Sequence, residues 1–466
     1  MEEEIIVNQG PVVDSDVLNE YDTSKERTTN LNYADEIKEV INNTFNDFGV
    51  DAMVSGHIVG PNAIRFALKT GKNVSTKKIS NLITDLQIRL GGVAVRLDTT
   101  SKGMHNIGLE VNNKVHELVS FKSLYESLPN IKEHPLAVPL GVKVTEEPVW
   151  VDLKEVPHIL MSGTTGSGKS ILMRSMITSL IMRNSIEDVQ IVLFDPKHSE
   201  FNCFNDMPHL KCLIAKDKDI SRRTLLELEA EVCDRLIEMD KTNCCDIDEY
   251  NEYALKNGLH KLPYIIVFID EYADLVDQDR TAGEIVTTLV KRSKAAGVHV
   301  IVGMQNPSPK AFTGSLKAGF SCHIALMTAN FIDSLSILGE GGAEKLFGRG
   351  DMLVHCHALS ELGLVRLQGC FIHRNEIKTV VEELKGYYIP GHNKKKALEE
   401  RELDEKTLYN KVKEWAKTKD YISISLIQRE WSIDFDCAWG YFLGLQQDGV
   451  LSDTEENDKG TKVIKK

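Results

Sequence analysis

The residues best placed to do chemistry are Gly163, Thr164, Thr165, Gly166, Ser167, Gly168, Lys169 and Ser170. They fit the pattern G-x-x-x-x-G-K-[ST], a loop that wraps the phosphates of a nucleoside triphosphate. Its glycines let backbone N–H groups close on the phosphates, and the positive end of the following helix faces the same way. On this pattern Lys169 neutralises the β- and γ-phosphates and the Ser170 hydroxyl ligates Mg2+. The cofactors expected are therefore ATP and Mg2+. A second constellation is Tyr264-Ile265-Ile266-Val267-Phe268-Ile269-Asp270-Glu271, an apolar run ending in two acids. There Asp270 is expected to hold Mg2+ through water, and Glu271 to polarise the attacking water. Gln305, closing the apolar run Val298–Gly303, offers an amide to the γ-phosphate and that water. Asp195-Pro196-Lys197 follows another such run; its spacing alone suits a surface ion pair as well as a functional loop.

These groups need a scaffold that brings several strand ends to one edge. Short apolar runs at His158–Met161, Val189–Phe194, Tyr264–Ile269, Val298–Gly303, Cys322–Met327 and Met352–His355 alternate with longer helical stretches. The pattern predicts strands buried on both faces of a mostly parallel sheet, an α/β nucleotide-binding core of P-loop NTPase, RecA-like type. The amphipathic stretch Ile171–Met182 is the helix expected after the phosphate loop.

Around this core, spanning residues 134–385, the sequence divides further. Residues 1–30 are polar and acidic and read as a flexible arm. Residues 31–133 predict a small α+β domain: a helix over Tyr33–Phe48, two strands within Val54–Leu68 about a Gly60-Pro61 turn, a helix over Lys77–Leu90, and strands at Ala94–Leu97 and Ile107–Val111. Residues 386–404 read as a linker, and residues 405–466 as a C-terminal winged-helix domain. No internal repeats stand out.

Bulk composition narrows the setting. The 466 residues are 42% hydrophobic and 27% charged, with a formal net charge of −14. Nucleic acid would thus have to be met by local basic groups. Nine cysteines show no zinc spacing, the acidic opening Met1–Glu4 is unlike a secretory signal, and there is no long uncharged apolar run. A cytoplasmic protein with reduced thiols and no integral membrane segment is expected.

Further blocks, in order, carry a resemblance. They are His158-Ile159-Leu160-Met161-Ser162-Gly163, Asp195-Pro196-Lys197 with Glu200, and Met207-Pro208-His209-Leu210. Next come Ile269-Asp270-Glu271-Tyr272-Ala273-Asp274-Leu275 and Ala295-Ala296-Gly297-Val298-His299, followed by Gln305, Pro307-Ser308, Thr313-Gly314 and Lys317-Ala318. Gly341-Gly342-Ala343-Glu344-Lys345-Leu346 and Gly350-Asp351-Met352-Leu353 complete the series. Over roughly Ala34–Leu451 the chain resembles the motor of the FtsK/SpoIIIE family of double-stranded DNA translocases, with no counterpart of the family's membrane-spanning N-terminal region. The resemblance implies a ring, a homo-oligomer usually of six subunits, encircling duplex DNA, with ATP between neighbours. It implies DNA-backbone contacts from Lys310 and Lys317, and DNA movement in partition, conjugation or packaging. A conjugative coupling or secretion-type ATPase and a weakly hydrolysing DNA-binding scaffold are the alternatives.

Departures from the family pattern concern arginines. Lys294 stands where a trans-acting arginine is expected, with Arg292, Arg349 and Arg366 as possible substitutes. Asn306, His323, Phe331 and Leu335 also occupy family arginine positions. The expected reading helix of the winged helix, Phe435–Leu445, carries Asp436, Cys437 and Trp439 and no Lys or Arg, so base readout is not expected of it.

Overall fold

The computed structural model describes residues 13–98, 107–305, 307, 313–360, 363–388, 409–431, 435–457 and 460–463. Helix α1 (Ser24–Asp47) turns Ile37, Ile41 and Phe45 inward at four-residue spacing. They pack on a sheet of β1 (Ala52–Val59), β2 (Ala63–Thr70), β3 (Val95–Asp98) and β4 (Gly108–Asn112), ordered β1-β2-β4-β3 and antiparallel throughout. Gly60 N–H donates to Ala63 O (2.9 Å) and closes the expected turn. The single helix expected over Lys77–Leu90 is two, α2 (Thr76–Asn81) and α3 (Ile83–Arg89). They part at Leu82, whose N–H reaches only three residues back, to Ile79 O.

Part of the stretch read as an arm is pinned. Val13 and Leu18 are buried, and Asn19 N–H and Tyr21 O–H both donate to the Glu376 carboxylate (2.9 Å each). Helix α1 has already begun by Ser24. Residues 1–12 lie outside the described residues, as do most of those read as a linker.

After α4 (Phe121–Glu126) the core runs β5 (Ala137–Val142), β6 (Pro148–Asp152), β7 (His158–Ser162), α5 (Lys169–Arg183), β8 (Val189–Phe194), α6 (Lys218–Thr242), α7 (Ile247–Lys256), β9 (Tyr264–Ile269), α8 (Tyr272–Gln278) and α9 (Arg280–Arg292). It continues through β10 (Val298–Met304), α10 (Gly314–Lys317), β11 (Cys322–Leu326), α11 (Phe331–Leu338), β12 (Asp351–Cys356), β13 (Val365–Gln368) and α12 (Arg374–Tyr388). Strand order is β6-β5-β13-β12-β11-β7-β10-β9-β8. The pairs β8–β9, β9–β10 and β7–β11 are parallel. Strands β12, β13, β5 and β6 are antiparallel to their neighbours, so the Met352–His355 run belongs to an antiparallel edge and not to the parallel part of the sheet. Short connections make this possible: β5 turns directly into β6 and β12 into β13, with no crossover helix.

Two compact units divide the chain. The first (residues 1–180, 303–307 and 321–377) holds the small sheet, β5–β7, β11–β13 and the phosphate loop. The second (residues 181–302, 308–320 and 378–466) holds β8, β9, most of β10, α6–α10 and the C-terminal elements. Those last are α13 (residues 409–416), β14 (Tyr421–Ile422), α14 (Ile424–Trp431), α15 (Phe435–Gln447), β15 (Leu451–Asn457) and β16 (Gly460–Val463), with sheet order β14-β16-β15. Val412, Ala416, Ile422, Ile427, Ala438 and Leu445 form their fully buried core. Within the second unit this domain rests on α6: Ser423 and Ser425 hydroxyls donate to Asp234 (3.0 and 3.3 Å), and the Arg223 guanidinium lies 4.7 Å from the Trp439 ring centroid.

Candidate nucleotide site

Strand β7 is buried along its whole length and ends at the phosphate loop. Gly163 N–H donates to Met304 O (3.2 Å) and Thr164 N–H to Met327 O (2.9 Å), stitching the loop's start to the ends of β10 and β11. Ser167 N–H closes back on Thr164 O (3.0 Å), and α5 starts at Lys169. Gly166 (φ +80°) and Gly168 (φ +108°) lie in the left-handed region, where a Cβ is strained. At Gly168 a Cβ would also fall 2.5 Å from Gly350 N. The tip at Thr165 and Gly166 is exposed, and a Cβ on Gly166 would meet nothing within 4 Å, so a polyphosphate has room to approach. Lys169 is only 5% exposed, and a cation so buried requires anionic compensation. Ser170, half-buried, follows it into the first turn of α5.

Gly303 explains how Lys169 fits. A Cβ there would lie 3.3 Å from Lys169 Nζ and 2.5 Å from Met173 Cε. Since Gly163 bonds to Met304, the chain brings Gln305, half-buried at the end of β10, beside the first glycine of the loop. A third segment braces the loop from the same unit. Gly348, Arg349 and Gly350 all take positive φ (+74°, +51° and +94°). Arg349 N–H donates to Gly166 O (3.3 Å) and Gly350 N–H to Ser167 O (2.7 Å). This brace is anchored by a buried charge cluster. Arg366 gives Nε and Nη2 to the two Asp351 oxygens (3.0 and 2.8 Å) and Nη1 to Glu110 (2.7 Å). Asp351 also accepts from Phe347 N–H (3.0 Å), while Gln368 donates to Arg349 O (2.8 Å) and accepts from Asn62.

In the second unit, β9 ends at Asp270 and Glu271, each 3% exposed. Asp270 N–H donates to Phe194 O (3.0 Å), so the acids and the loop after β8 occupy the same sheet edge. Glu271 precedes α8 with φ +53°, a conformation costly for a residue with a Cβ. Its Oε2 lies 3.2 Å from Lys197 Nζ, and Asp274 Oδ2 lies 3.4 Å from the same ammonium. Partial burial lowers the Lys197 pKa, but the charge of Glu271 and then of Asp274 outweighs it and leaves the ammonium above its ordinary value. Asp195 is fully buried, and its carboxylate accepts from the N–H groups of Ser199 (3.2 Å), Glu200 (2.9 Å) and Phe201 (3.0 Å). The surface ion pair allowed for by the Asp195-Pro196-Lys197 spacing is thus a pair with the candidate base itself.

The other expected cations fall as follows. Arg292 closes α9 and Lys294 lies two residues past it, both exposed. Lys317 is half-buried at the end of α10, and burial pulls its pKa down. Lys310 lies outside the described residues, as does Asn306. Arg366, considered as a substitute trans arginine, is committed to Asp351 and Glu110 and is buried. Arg349 is exposed beside the phosphate loop of its own chain. Among the described residues no group of three or more His, Cys, Asp or Glu could hold a metal ion by itself. None of the described helices is long and apolar enough to cross a membrane.

A glycine loop with a buried lysine, set between a buried strand and a helix of a mixed sheet, defines a P-loop nucleotide-binding protein. Two solved structures share the fold. One is the cytoplasmic domain of the Thermomonospora curvata type VII secretion ATPase EccC (TM-score 0.50, 23% identity, covering 59% of this chain and 33% of that one). The other is the pCW3 conjugation coupling protein TcpA, monomer form with ATPγS (TM-score 0.50, 20% identity, covering 74% and 99%). Sequence models place the match more finely: FtsK/SpoIIIE family over residues 124–309 and FtsK alpha domain over residues 11–113. DNA translocase FtsK of Staphylococcus aureus (strain Mu50) is 32% identical over 457 residues, covering 95% of this chain and 57% of the relative. Its namesake from Borreliella burgdorferi is 30% identical over 446 residues, covering 92% and 56%. The chain belongs to the FtsK/SpoIIIE family, and it spans about half the length of these relatives.

Proposed function

We propose that this chain is an ATP-driven motor that moves double-stranded DNA through a ring of its own copies, six in number, in the cytoplasm. The observation that carries the reading is the phosphate loop: left-handed Gly166 and Gly168, and a buried Lys169 packed closely against the sheet at Gly303. The name DNA translocase, borne by the relatives, supports DNA as the cargo.

In this reading Gly163 to Ser170 bind ATP. Lys169 holds the β- and γ-phosphates, and Ser170 and Asp270 would hold Mg2+, which when bound would supply charge neutralisation to the phosphates. Glu271 takes the proton of the attacking water, and Gln305 orients that water by its amide. Lys294, exposed past α9, supplies charge to a neighbouring subunit's nucleotide, without the fork geometry of arginine. Lys310 and Lys317 meet the DNA backbone, a sequence-independent contact compatible with the net charge of −14. The C-terminal domain, with the element order helix, strand, helix, helix and two strands, is a winged helix that serves assembly and not base readout.

The test is ATP hydrolysis by the full chain with and without DNA. Duplex should stimulate turnover more than single strands, and Lys169→Ala should abolish it. A ring verified by sedimentation that hydrolyses ATP with no response to duplex would refute the motor reading. Displacement of a triplex-forming strand then separates movement from binding.

A further inference from the structure

One motif is left without a role in the function proposed above. Asp195-Pro196-Lys197 follows β8 directly, and its three residues have three separable jobs. Asp195 is fully buried and accepts three backbone N–H bonds from Ser199, Glu200 and Phe201, which ties the loop into a fixed shape. Asp195 N–H in turn donates to Ala215 O (2.9 Å), fixing the loop to the chain beyond it. Pro196 restricts the backbone between the two charged residues. Lys197 is therefore delivered from a rigid base.

At its tip, Lys197 Nζ stands 3.2 Å from Glu271 Oε2 and 3.4 Å from Asp274 Oδ2. Asp274, in the first turn of α8, gives the same ammonium a second carboxylate. Glu271 gives the ammonium a buried counter-charge. It is 3% exposed, its backbone is left-handed, and the side chain at its N-cap position makes no capping bond to α8. A carboxylate in that setting gains fixed geometry from the lysine.

We infer that Lys197 is a positioning residue for Glu271: it holds the carboxylate oriented for the attacking water, acting through Glu271 and not on the nucleotide. This rests on Glu271 being the base for ATP hydrolysis, as proposed above. Orientation of a general base affects the chemical step far more than binding. Loss of the lysine should therefore appear in kcat and not in KM.

The experiment is steady-state ATP hydrolysis by the full chain with duplex DNA, comparing wild type, Lys197→Met, Lys197→Arg and Glu271→Gln. Fluorescent-ATP binding and thermal melting are measured on each. Lys197 is 38% exposed at its side chain, so the methionine variant keeps the fold. Lys197→Met is expected to lower kcat about 10- to 100-fold, less than the roughly 10²- to 10⁴-fold that a general base contributes, because the base itself remains. KM and fluorescent-ATP affinity should stay within about twofold, since no phosphate contact is lost. Lys197→Arg keeps the cation and should recover most of the lost kcat. An unchanged or raised kcat in Lys197→Met overturns the inference, as does a loss confined to KM and nucleotide affinity. An arginine variant as slow as the methionine variant overturns it too, because charge would not then be what matters. Glu271→Gln separates the two layers. If it turns over like the wild type, the assignment of Glu271 fails. If it is dead while Lys197→Met is fully active, only the role of Lys197 fails.

Discussion

Replacing Arg366 by methionine tests how the phosphate loop is supported. The guanidinium is 9% exposed by residue and makes three charged hydrogen bonds, two to Asp351 and one to Glu110. Its partners are also buried, with side chains 1% and 6% exposed. Burial lowers the Arg366 pKa, but the two carboxylates outweigh that and raise it, consistent with a cation held by its partners. Removing one member of a buried ion pair costs about 3–5 kcal/mol, because the partner charge is left uncompensated. Arg366→Met strands Asp351 and leaves Glu110 only the Arg96 guanidinium 3.6 Å away, so the loss belongs within that range. Glu110→Gln leaves the two-pronged Asp351 pair intact and should cost about 1.5–3 kcal/mol, the worth of one charged hydrogen bond. At roughly 2–4 °C per kcal/mol for a unit of this size, Arg366→Met should lower the melting temperature by about 6–20 °C. Below melting, the effect should travel through Asp351 to Gly350, whose N–H holds Ser167 O. Differential scanning calorimetry and fluorescent-ATP titration of both variants provide the measurement. Equal shifts in the two variants, each under about 2 °C, with unchanged ATP affinity, would refute the argument that this cluster anchors the loop's brace.

Other outcomes follow from the same geometry. Gly168→Ala should abolish ATP binding, since its Cβ meets backbone at Gly350 N (2.5 Å) at φ +108°; binding by the purified variant checks it. Gly303→Ala should be milder, because Met173 Cε can move aside, and should weaken ATP affinity several-fold by crowding Lys169 Nζ; a near-wild-type titration curve would count against that crowding. His209 Nε2–H donates to Asn184 O (2.8 Å), and burial holds its pKa down at about 4 against an ordinary 6.5. The unfolded chain therefore takes up this proton first as pH falls, so stability is present above about pH 6.5 and lost down to about pH 4, by about 2 kcal/mol between pH 7.5 and pH 5. Urea midpoints for wild type and His209→Gln at those two pH values should show a smaller pH response in the variant. Trp439→Ala removes the ring under Arg223 and should speed hydrogen exchange in α14 and α15 while leaving β9 unchanged.

Local pattern carried the strands and their chemistry a long way in this chain. The apolar runs Val189–Phe194 and Tyr264–Ile269 are β8 and β9 to the residue. A run buried on both faces leaves little choice of element when helical stretches flank it. The place of the loop Gly163–Ser170 between β7 and α5 was equally legible, because its glycines and lysine stand within a few residues of one another. The antiparallel edge was not: Met352–His355 reads like any buried strand, and direction is set by which neighbour it pairs with. Nor was the break at Leu82, which depends on one hydrogen bond reaching three residues back.

The sequence by itself determined that a triphosphate loop, two strand-end acids and a family of DNA motors were in view. It could not say what Lys197 touches, because Glu271 and Asp274 lie far along the chain and meet it only when β8 and β9 pair. Likewise Arg366 stood open as a trans-acting arginine until folding set it between Asp351 and Glu110. Spacing along a chain reveals groups that act on one ligand through one loop, whereas ion pairs between separate strands are fixed by sheet order and register. Only the tertiary structure decides those.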